Sequence, residues 1–301
     1  MGRRYTAGMS QPVFGRLLTA MVTPFDADGA VNLAEARKLA AYLVDEQRND
    51  ALVINGTTGE SPTTTDAEKA ELIAAVVEEI GDRAQVVAGV GTNDTRHTVR
   101  LAQQAADAGA SGLLVVTPYY SKPPQDAVAA YFRTVADATE LPVMLYDIPH
   151  RAGVPIQTAT LIELAAHPQI AAVKDAKGDL VASAAVIAAT GLHYYSGDDA
   201  LTLPLLAVGA VGVVGTSTHF TGARAKAMIE KFLAGDLAGA IADNAALLPV
   251  FTGVFATQGC MLVKAGLEAR GFQPAVLRGP LLAASSEQQA AFVALLDAAG
   301  L

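Results

Sequence analysis

VMLYDIPHRAGVPIQTATLIELAAHPQIAAVK, residues 143–174, contains two short apolar runs, at 143–146 and 170–173, whose starts lie 27 residues apart. That distance is long enough for a crossover helix that returns the chain to a parallel strand. Similar apolar, β-branched runs recur along the chain, at residues 17–22, 51–54, 85–90, 113–116, 193–195 and 212–214. The sequence therefore predicts eight strands joined by crossover connections.

Most of the stretches between these runs have a helical pattern. Apolar residues repeat at intervals of about 3.6 residues within 33–44, 72–80 and 128–135. Strands that are apolar on both faces and alternate with helices over about 220 residues favour a closed barrel over an open sheet. We therefore predict an α/β fold of the (β/α)8 TIM-barrel type.

Further helical patterns follow the eighth strand, at residues 221–233, 237–255, 258–270 and 286–299. The first of them completes the barrel, and no Ser- or Pro-rich linker precedes the others. We predict a catalytic barrel over residues 14–234 and a C-terminal helical extension over residues 235–301 that packs on it.

The composition is that of a chain with a large core, since 51% of the 301 residues are hydrophobic and 17% are charged. The formal net charge of −9, without a block of like charge, argues against nucleic acid or an anionic membrane as a partner. The single cysteine, Cys260, cannot form an internal disulfide, and residues 1–11 lack the apolar run of a secretion signal. A cytoplasmic location is expected.

Active groups of a barrel enzyme lie at the carboxyl ends of the strands. Lys174 follows the apolar run at 170–173, so burial should lower the pKa of its amine and favour the neutral, nucleophilic form. Such a lysine can form a Schiff base with a carbonyl substrate. Alternatively, Lys174 extends to solvent or pairs with Asp175 or Asp147. Lys264 also follows an apolar run, but its helical context favours a side chain that reaches solvent.

Other predicted strand ends carry a phenol, hydroxyls and an arginine. Tyr146 would share the barrel rim with Lys174 and could transfer protons, although an isolated tyrosine is also a common core residue. Thr57 and Thr58 lie on a glycine-flanked turn that could bind a carboxylate or be an ordinary turn. Arg151 could hold a second carboxylate with its planar guanidinium or form a surface salt bridge.

Metal and nucleotide cofactors are not expected. The five histidines lack the close pairing that zinc sites use. The Gly89-Val90-Gly91 stretch lacks the third glycine of a dinucleotide fingerprint, and no glycine loop ends in Gly-Lys-Ser or Gly-Lys-Thr. We predict that the protein has no metal site and uses no cofactor.

At these positions the chain resembles the dihydrodipicolinate synthase and N-acetylneuraminate lyase family of pyruvate-dependent class I aldolases. The resemblance covers about residues 14–287, and five motifs carry it in the family's order. These motifs are GTTGESPT at 56–63, the Thr-Pro-Tyr-Tyr ending of 112–120, LYDIP at 145–149, VKDA at 173–176 and YSGDD at 195–199. The resemblance identifies Lys174 as the Schiff-base lysine.

The resemblance also implies a catalytic assembly. Members of this family are (β/α)8 barrels with a C-terminal helical extension, and they usually form homotetramers built as a pair of tight dimers. By this resemblance Tyr146, Thr57 and Tyr120 form a proton relay. Tyr120 would reach in from the neighbouring subunit, and Tyr119 would pack in the tight-dimer interface.

The same resemblance implies how substrates bind. Thr58 would bind the carboxylate of pyruvate, and Gly197 and Val214 would line the pocket. The synthase branch condenses pyruvate with L-aspartate-4-semialdehyde and uses an arginine at the position of Arg151 to hold the carboxylate of the aldehyde. Sialic-acid lyases have an apolar residue there, and Ser-Thr in place of Thr57-Thr58. Both markers favour the synthase, whose product enters lysine and diaminopimelate synthesis.

Two other functions stay open. The first is a lyase for a sugar acid such as N-acetylneuraminate or 2-keto-3-deoxygluconate, because Asp147, His150 and the end of the eighth strand depart from the commonest family pattern. The second is a catalytically silent protein that only binds pyruvate-like acids. The presence of both Lys174 and Tyr146 argues against the second.

Inhibition by lysine is expected to be weak or absent. Lysine-inhibited members of the family use a glutamate and a histidine at the effector cleft. This chain has His97 and Lys69 there by the same resemblance.

Overall fold

The computed structural model describes residues 11–301. Residues 1–10, which make up most of the segment where no secretion signal is expected, lie outside the described residues. From residue 11 onward, no helix combines the length and the apolar character needed to cross a membrane.

Eight parallel strands close into a barrel, in which each strand pairs with the next along the chain and the last pairs with the first. All eight predicted strands are confirmed, and each begins within one residue of the predicted start. The strands are β1 (Leu17–Ala20), β2 (Ala51–Ile54), β3 (Gln85–Gly89), β4 (Gly112–Val116), β5 (Val143–Asp147), β6 (Ile170–Asp175), β7 (His193–Ser196) and β8 (Gly212–Gly215).

Helices follow the strands and surround the barrel, which confirms the predicted TIM-barrel class. The helices through the last one of the barrel are α1 (Leu33–Asp45), α2 (Asp66–Ile80), α3 (Thr95–Asp107), α4 (Gln125–Asp137), α5 (Pro149–Ala152), α6 (Thr158–Leu164), α7 (Leu180–Ala189), α8 (Thr202–Ala207) and α9 (Thr218–Leu233). The helices of the C-terminal extension are α10 (Leu237–Gly253), α11 (Gly259–Ala269) and α12 (Ser286–Ala298).

The C-terminal extension contacts the barrel through aromatic side chains. Phe292 on α12 meets Phe220 on α9 edge to face, with ring centroids 5.7 Å apart. Gly266 on α11 lies against these rings, and a Cβ there would come within 2.7 Å of Phe220. This close approach needs a residue without a side chain. The division of the chain into domains at residues 234 and 235 stays a prediction.

The pleat of the strands decides which side chains enter the barrel mouth. Lys174 on β6 is the direct neighbour of Tyr146 on β5 and of Tyr195 on β7. Both tyrosines belong to the apolar cluster inside the barrel. Asp147 and Asp175, one position further along β5 and β6, face the opposite side because side chains alternate along a strand. Lys174 therefore shares the inner face with the two phenols.

Candidate active site

An open cavity of about 740 Å³ lies at the carboxyl ends of the strands, where the fold predicts the active site. It brings together six of the predicted site residues, namely Thr57, Thr58, Tyr146, Arg151, Lys174 and Gly197. The C-terminal extension supplies part of the opposite wall, through Phe251, Thr252, Phe255, Thr257, Gln258 and Cys260. The barrel and the extension form this site jointly.

Lys174 is the buried amine of the cavity, with only 5% of its surface exposed. Its Nζ lies 4.3 Å from the centroid of the Tyr146 ring. Burial lowers the pKa of the Lys174 amine to about 8; the charge of Asp199 acts in the opposite direction, and the charge of Arg151 adds to the lowering. About a tenth of the amine is therefore neutral at pH 7 and available as a nucleophile.

The carboxylates next to Lys174 have other partners. Asp147 accepts a hydrogen bond from Lys177 Nζ at 3.1 Å. Asp175 accepts from the backbone N–H of Lys177 at 2.9 Å and from the hydroxyl of Ser183. Within residues 11–301, Lys174 takes part in no ion pair. The alternatives in which Lys174 pairs with Asp147 or Asp175, or extends to solvent, do not agree with this arrangement.

The lowered pKa of Lys174 predicts how adduct formation depends on pH. Raising the pH increases the neutral fraction, so the rate at low pyruvate should rise about tenfold per pH unit below 8 and level off above it. The measurement is brief exposure to pyruvate at each pH, followed by borohydride reduction in one common buffer and mass spectrometry. A rate that still climbs tenfold per unit between pH 9 and 10 would indicate an unperturbed lysine.

Tyr146 is placed to donate a proton beside Lys174. Burial raises the pKa of Tyr146 to about 12, and the charge of Arg151 and the hydroxyl of Thr57 act in the opposite direction. The phenol therefore stays protonated at neutral pH. Tyr146 also lines the cavity, so this side chain borders the space in which a substrate would bind.

The turn after β2 presents free backbone amides. Gly59 and Ser61 both donate to the carbonyl of Gly56, at 3.0 and 3.3 Å, and close the turn. The N–H groups of Thr57 and Thr58 donate to no acceptor within residues 11–301. Consecutive free amides of this kind form an anion-binding concavity, which favours the carboxylate-binding interpretation over that of an ordinary turn.

Arg151 lies on α5 at the cavity wall. Its Nη2 donates to Oε1 of Gln258, from the C-terminal extension, at 2.9 Å. Arg151 pairs with no acidic side chain in the part of the chain that the structure describes, so the surface salt bridge of the alternative interpretation is not formed. The guanidinium keeps donors for a carboxylate.

Tyr120 follows β4 and projects away from the rest of the chain. Its side chain is 91% exposed, and its backbone has a φ of +73°, a conformation that is strained for a large residue. Tyr119 and Tyr120 line a second cavity of about 540 Å³ together with Lys69 and His97. His97 pairs with Asp66 at 3.0 Å. The residues expected at the effector cleft thus lie together, and weak inhibition by lysine stays a prediction.

The two predicted pocket residues on β7 and β8 differ in position. A Cβ at Gly197 would lie 3.1 Å from Cγ of Lys174, so a side chain at this position would require Lys174 or its neighbours to shift. Val214 is buried inside the barrel beside Leu18 and does not line the cavity. Its strand position lies below the mouth, and Thr216, two residues further on, forms the wall instead.

The prediction that Lys264 reaches solvent is wrong. Lys264 is buried, and its Nζ donates to Oε1 of Glu60 at 2.5 Å and to the carbonyl of Val276 at 2.7 Å. The extension folds over the turn after β2, so this face of α11 is turned to the barrel. Glu60 lies 204 positions earlier in the chain, and local sequence patterns carry no signal for such a pair.

Asp199 is a functional candidate to which the sequence assigned no role. Its buried carboxylate accepts hydrogen bonds from the N–H groups of Thr216 and Ser217, each at 3.0 Å, and from the Ser217 hydroxyl. Burial raises the pKa of Asp199. The carboxylate ties the end of β7 to the end of β8, and its place in the YSGDD motif at a strand end was the available signal.

The site therefore offers an amine, a phenol, hydroxyls and a guanidinium. No cluster of three or more His, Cys, Asp or Glu side chains within residues 11–301 is placed to hold a metal ion. A (β/α)8 barrel with a buried lysine amine at its mouth defines a class, the barrel enzymes that use lysine as a nucleophile toward carbonyl substrates.

Comparison with known proteins specifies the class further. The chain belongs to the dihydrodipicolinate synthetase family, whose sequence pattern matches residues 13–299. It is 61% identical to 4-hydroxy-tetrahydrodipicolinate synthases of Cutibacterium acnes and Acidothermus cellulolyticus, over 96% and 98% of this chain and 99% and 96% of theirs. The resemblance seen in the sequence motifs is confirmed.

Solved structures show the same fold. A dihydrodipicolinate synthase from Bacillus anthracis aligns with a TM-score of 0.91 at 38% identity, over 94% of this chain and 98% of that one. An enzyme of the same name from Cyanidioschyzon merolae, with lysine bound, aligns with a TM-score of 0.93 at 39% identity, over 96% and 99% of the two chains.

Proposed function

We propose that the chain is a 4-hydroxy-tetrahydrodipicolinate synthase that condenses pyruvate with L-aspartate-4-semialdehyde and so serves lysine and diaminopimelate synthesis. The observation that carries the proposal is the buried amine of Lys174, with its lowered pKa, in a cavity that also holds Arg151. Relatives of that name at 61% identity over nearly the full length support it.

The first half-reaction activates pyruvate. The neutral amine of Lys174 attacks the keto carbon, and loss of water gives a Schiff base that withdraws electrons from the methyl carbon. The free N–H groups of Thr57 and Thr58 hold the carboxylate of pyruvate. Tyr146, which stays protonated, donates a proton to the departing hydroxyl and takes part in tautomerisation of the imine to an enamine.

The second half-reaction forms the carbon–carbon bond. The enamine carbon attacks the aldehyde carbon of the semialdehyde, whose carboxylate Arg151 holds in a planar, two-point contact. The amine of the bound product then displaces Lys174 by transimination. This step closes the ring, releases 4-hydroxy-tetrahydrodipicolinate and returns the free lysine. Protons pass through the relay of Tyr146 and Thr57.

We further infer a cytoplasmic homotetramer built as a pair of tight dimers. The exposed phenol of Tyr120 and its strained backbone support this assembly, because a large apolar ring is seldom held in such a conformation without a partner. In the tight dimer, Tyr120 completes the proton relay of the neighbouring subunit and Tyr119 packs in the interface.

The Arg151→Ala variant tests the assignment of the second substrate. Loss of the guanidinium should raise KM for L-aspartate-4-semialdehyde about 10- to 100-fold, since a charge-assisted pair contributes roughly 1.5–3 kcal/mol. The pyruvate concentration for half-maximal borohydride labelling should change by less than about twofold when it is measured near pH 9.5, because Arg151 contacts only the aldehyde in this scheme. At that pH most of the Lys174 amine is neutral in both proteins, so the loss of the Arg151 charge, which helps to lower the pKa of Lys174, has little effect on labelling. Steady-state kinetics with each substrate varied in turn give both values.

Aldol cleavage assays distinguish the sugar-acid lyase from the synthase. With N-acetylneuraminate and 2-keto-3-deoxygluconate as substrates, the wild-type protein should release no pyruvate above background. Efficient cleavage of either compound, combined with an Arg151→Ala variant that keeps its affinity for the semialdehyde, would contradict the proposed function.

A further inference from the structure

A charge cluster, in which Glu60 and Lys264 are buried and Arg278 is partly buried, connects the turn after β2 to the C-terminal extension. Glu60 Oε1 accepts from Lys264 Nζ at 2.5 Å, and its Oε2 accepts from the backbone N–H of Arg278 at 3.0 Å. Phe25 lies under both cations, 4.2 Å from Lys264 Nζ and 4.4 Å from the Arg278 guanidinium carbon. Both carboxylate oxygens of Glu60 are thus held by the extension.

The backbone of Glu60 is in turn part of the carboxylate-binding turn. Its N–H donates to the carbonyl of Thr57 at 3.2 Å, and its φ of +54° lies in the left-handed region, which is unfavourable for a residue with a side chain. The neighbouring Gly59 is fixed by Thr23, whose hydroxyl donates to its carbonyl at 2.7 Å. A movement of Glu60 would therefore shift Thr57 directly.

Burying the charges of this cluster costs desolvation free energy, and joining the turn to the extension does not by itself require charged side chains. Two apolar side chains of similar volume would join the turn and the extension without desolvating ions. Glu60 also lines the active-site cavity, where an unpaired carboxylate would repel the carboxylate of an incoming keto acid. The ammonium of Lys264 neutralises that charge at the cavity wall.

We propose that Glu60, held and neutralised by Lys264, is a positioning residue that fixes the Thr57-Thr58 turn for the carboxylate of pyruvate. The inference rests on the proposed function, since it concerns how the same cavity recognises its first substrate. It assigns to the C-terminal extension a part in pyruvate binding, which the barrel residues alone would not indicate.

The variants Glu60→Gln, Lys264→Met and the double variant test this role. The readout is the pyruvate concentration for half-maximal borohydride labelling of the folded protein, with folding checked by circular dichroism. Each single change should raise that concentration about tenfold, with full labelling still reached at saturation. In the double variant this concentration should also be about tenfold higher than in the wild type, because both substitutions remove the same contact.

Glu68→Gln is the matched control. Glu68 pairs with the same Arg278 at 2.5 Å but does not line the active-site cavity. In Glu68→Gln the pyruvate concentration for half-maximal labelling should therefore stay within about twofold of the wild-type value. If Lys264→Met does not fold, the comparison of Glu60→Gln with Glu68→Gln still tests the role of Glu60, because only Glu60→Gln should raise the pyruvate concentration for half-maximal labelling.

Three results would overturn the role of Glu60: an unchanged half-saturation in folded Glu60→Gln, an equal rise in Glu68→Gln, or a rise of about a hundredfold in the double variant, which would mean independent effects. A wild-type protein that pyruvate does not label would instead contradict the proposed function itself.

Discussion

The Lys174→Met variant is expected to lose catalysis, with kcat/KM at least about four orders of magnitude below that of the wild type. Methionine has nearly the same length and keeps the burial but has no amine, so neither the Schiff base nor the enamine can form. No other lysine can substitute. Lys264 is held by Glu60, and Lys177 is held by Asp147 on the other face of the strands.

This loss is measured as kcat/KM in a coupled assay of product formation, in which each substrate is varied in turn while the other is kept at saturation. Lys122→Met, which changes an exposed lysine of a loop, is the control and should keep its activity within about twofold of the wild type. Circular dichroism establishes that both variants are folded. Residual activity of more than one part in a hundred in Lys174→Met would require a different nucleophile.

Tyr146→Phe should lower kcat by about 10²- to 10³-fold, within the range that general acid–base groups contribute. Phenylalanine keeps the ring against which Lys174 Nζ lies but cannot donate the proton that the phenol, with its pKa of about 12, holds at neutral pH. The pyruvate adduct should still form, though more slowly, because the amine of Lys174 is intact.

Tyr195→Phe is the matched control for this phenol. Tyr195 is the other tyrosine beside Lys174, but its hydroxyl donates to the carbonyl of Gly15 at 2.9 Å, below the mouth of the barrel. We expect this variant to lose about 1 kcal/mol of stability and to change kcat by less than about fivefold. Equal losses of kcat in the two tyrosine variants would contradict a proton-transfer role for Tyr146.

Local patterns predicted most of the fold. Buried strands such as β6 appear in the sequence as unbroken apolar runs, and in the helices the apolar residues repeat about every 3.6 residues. Both patterns are visible in stretches of about ten to fifteen residues, so the barrel can be predicted from local sequence. Lys174 was found in the same way, because it ends such a run. These features depend on neighbours in the chain, which the sequence displays directly.

Contacts between distant segments could not be predicted in this way. The pairing of Lys264 with Glu60 depends on how the extension folds over the barrel. The residues next to Lys264 in the sequence are equally compatible with a lysine that is exposed to solvent. The contact of Gln258 with Arg151 has the same origin. The resemblance to the family predicts that Val214 lines the pocket. In the structure Val214 lies deeper inside the barrel, and Thr216 lines the cavity at its mouth. Only three-dimensional packing distinguishes these alternatives.

The most direct test of the central claim is reduction with borohydride in the presence of pyruvate, followed by peptide mass mapping. We expect one reduced pyruvyl group per chain, on the peptide that contains Lys174, and no modification when pyruvate is omitted. Modification of another lysine, or complete absence of an adduct in folded protein saturated with pyruvate, would contradict the account.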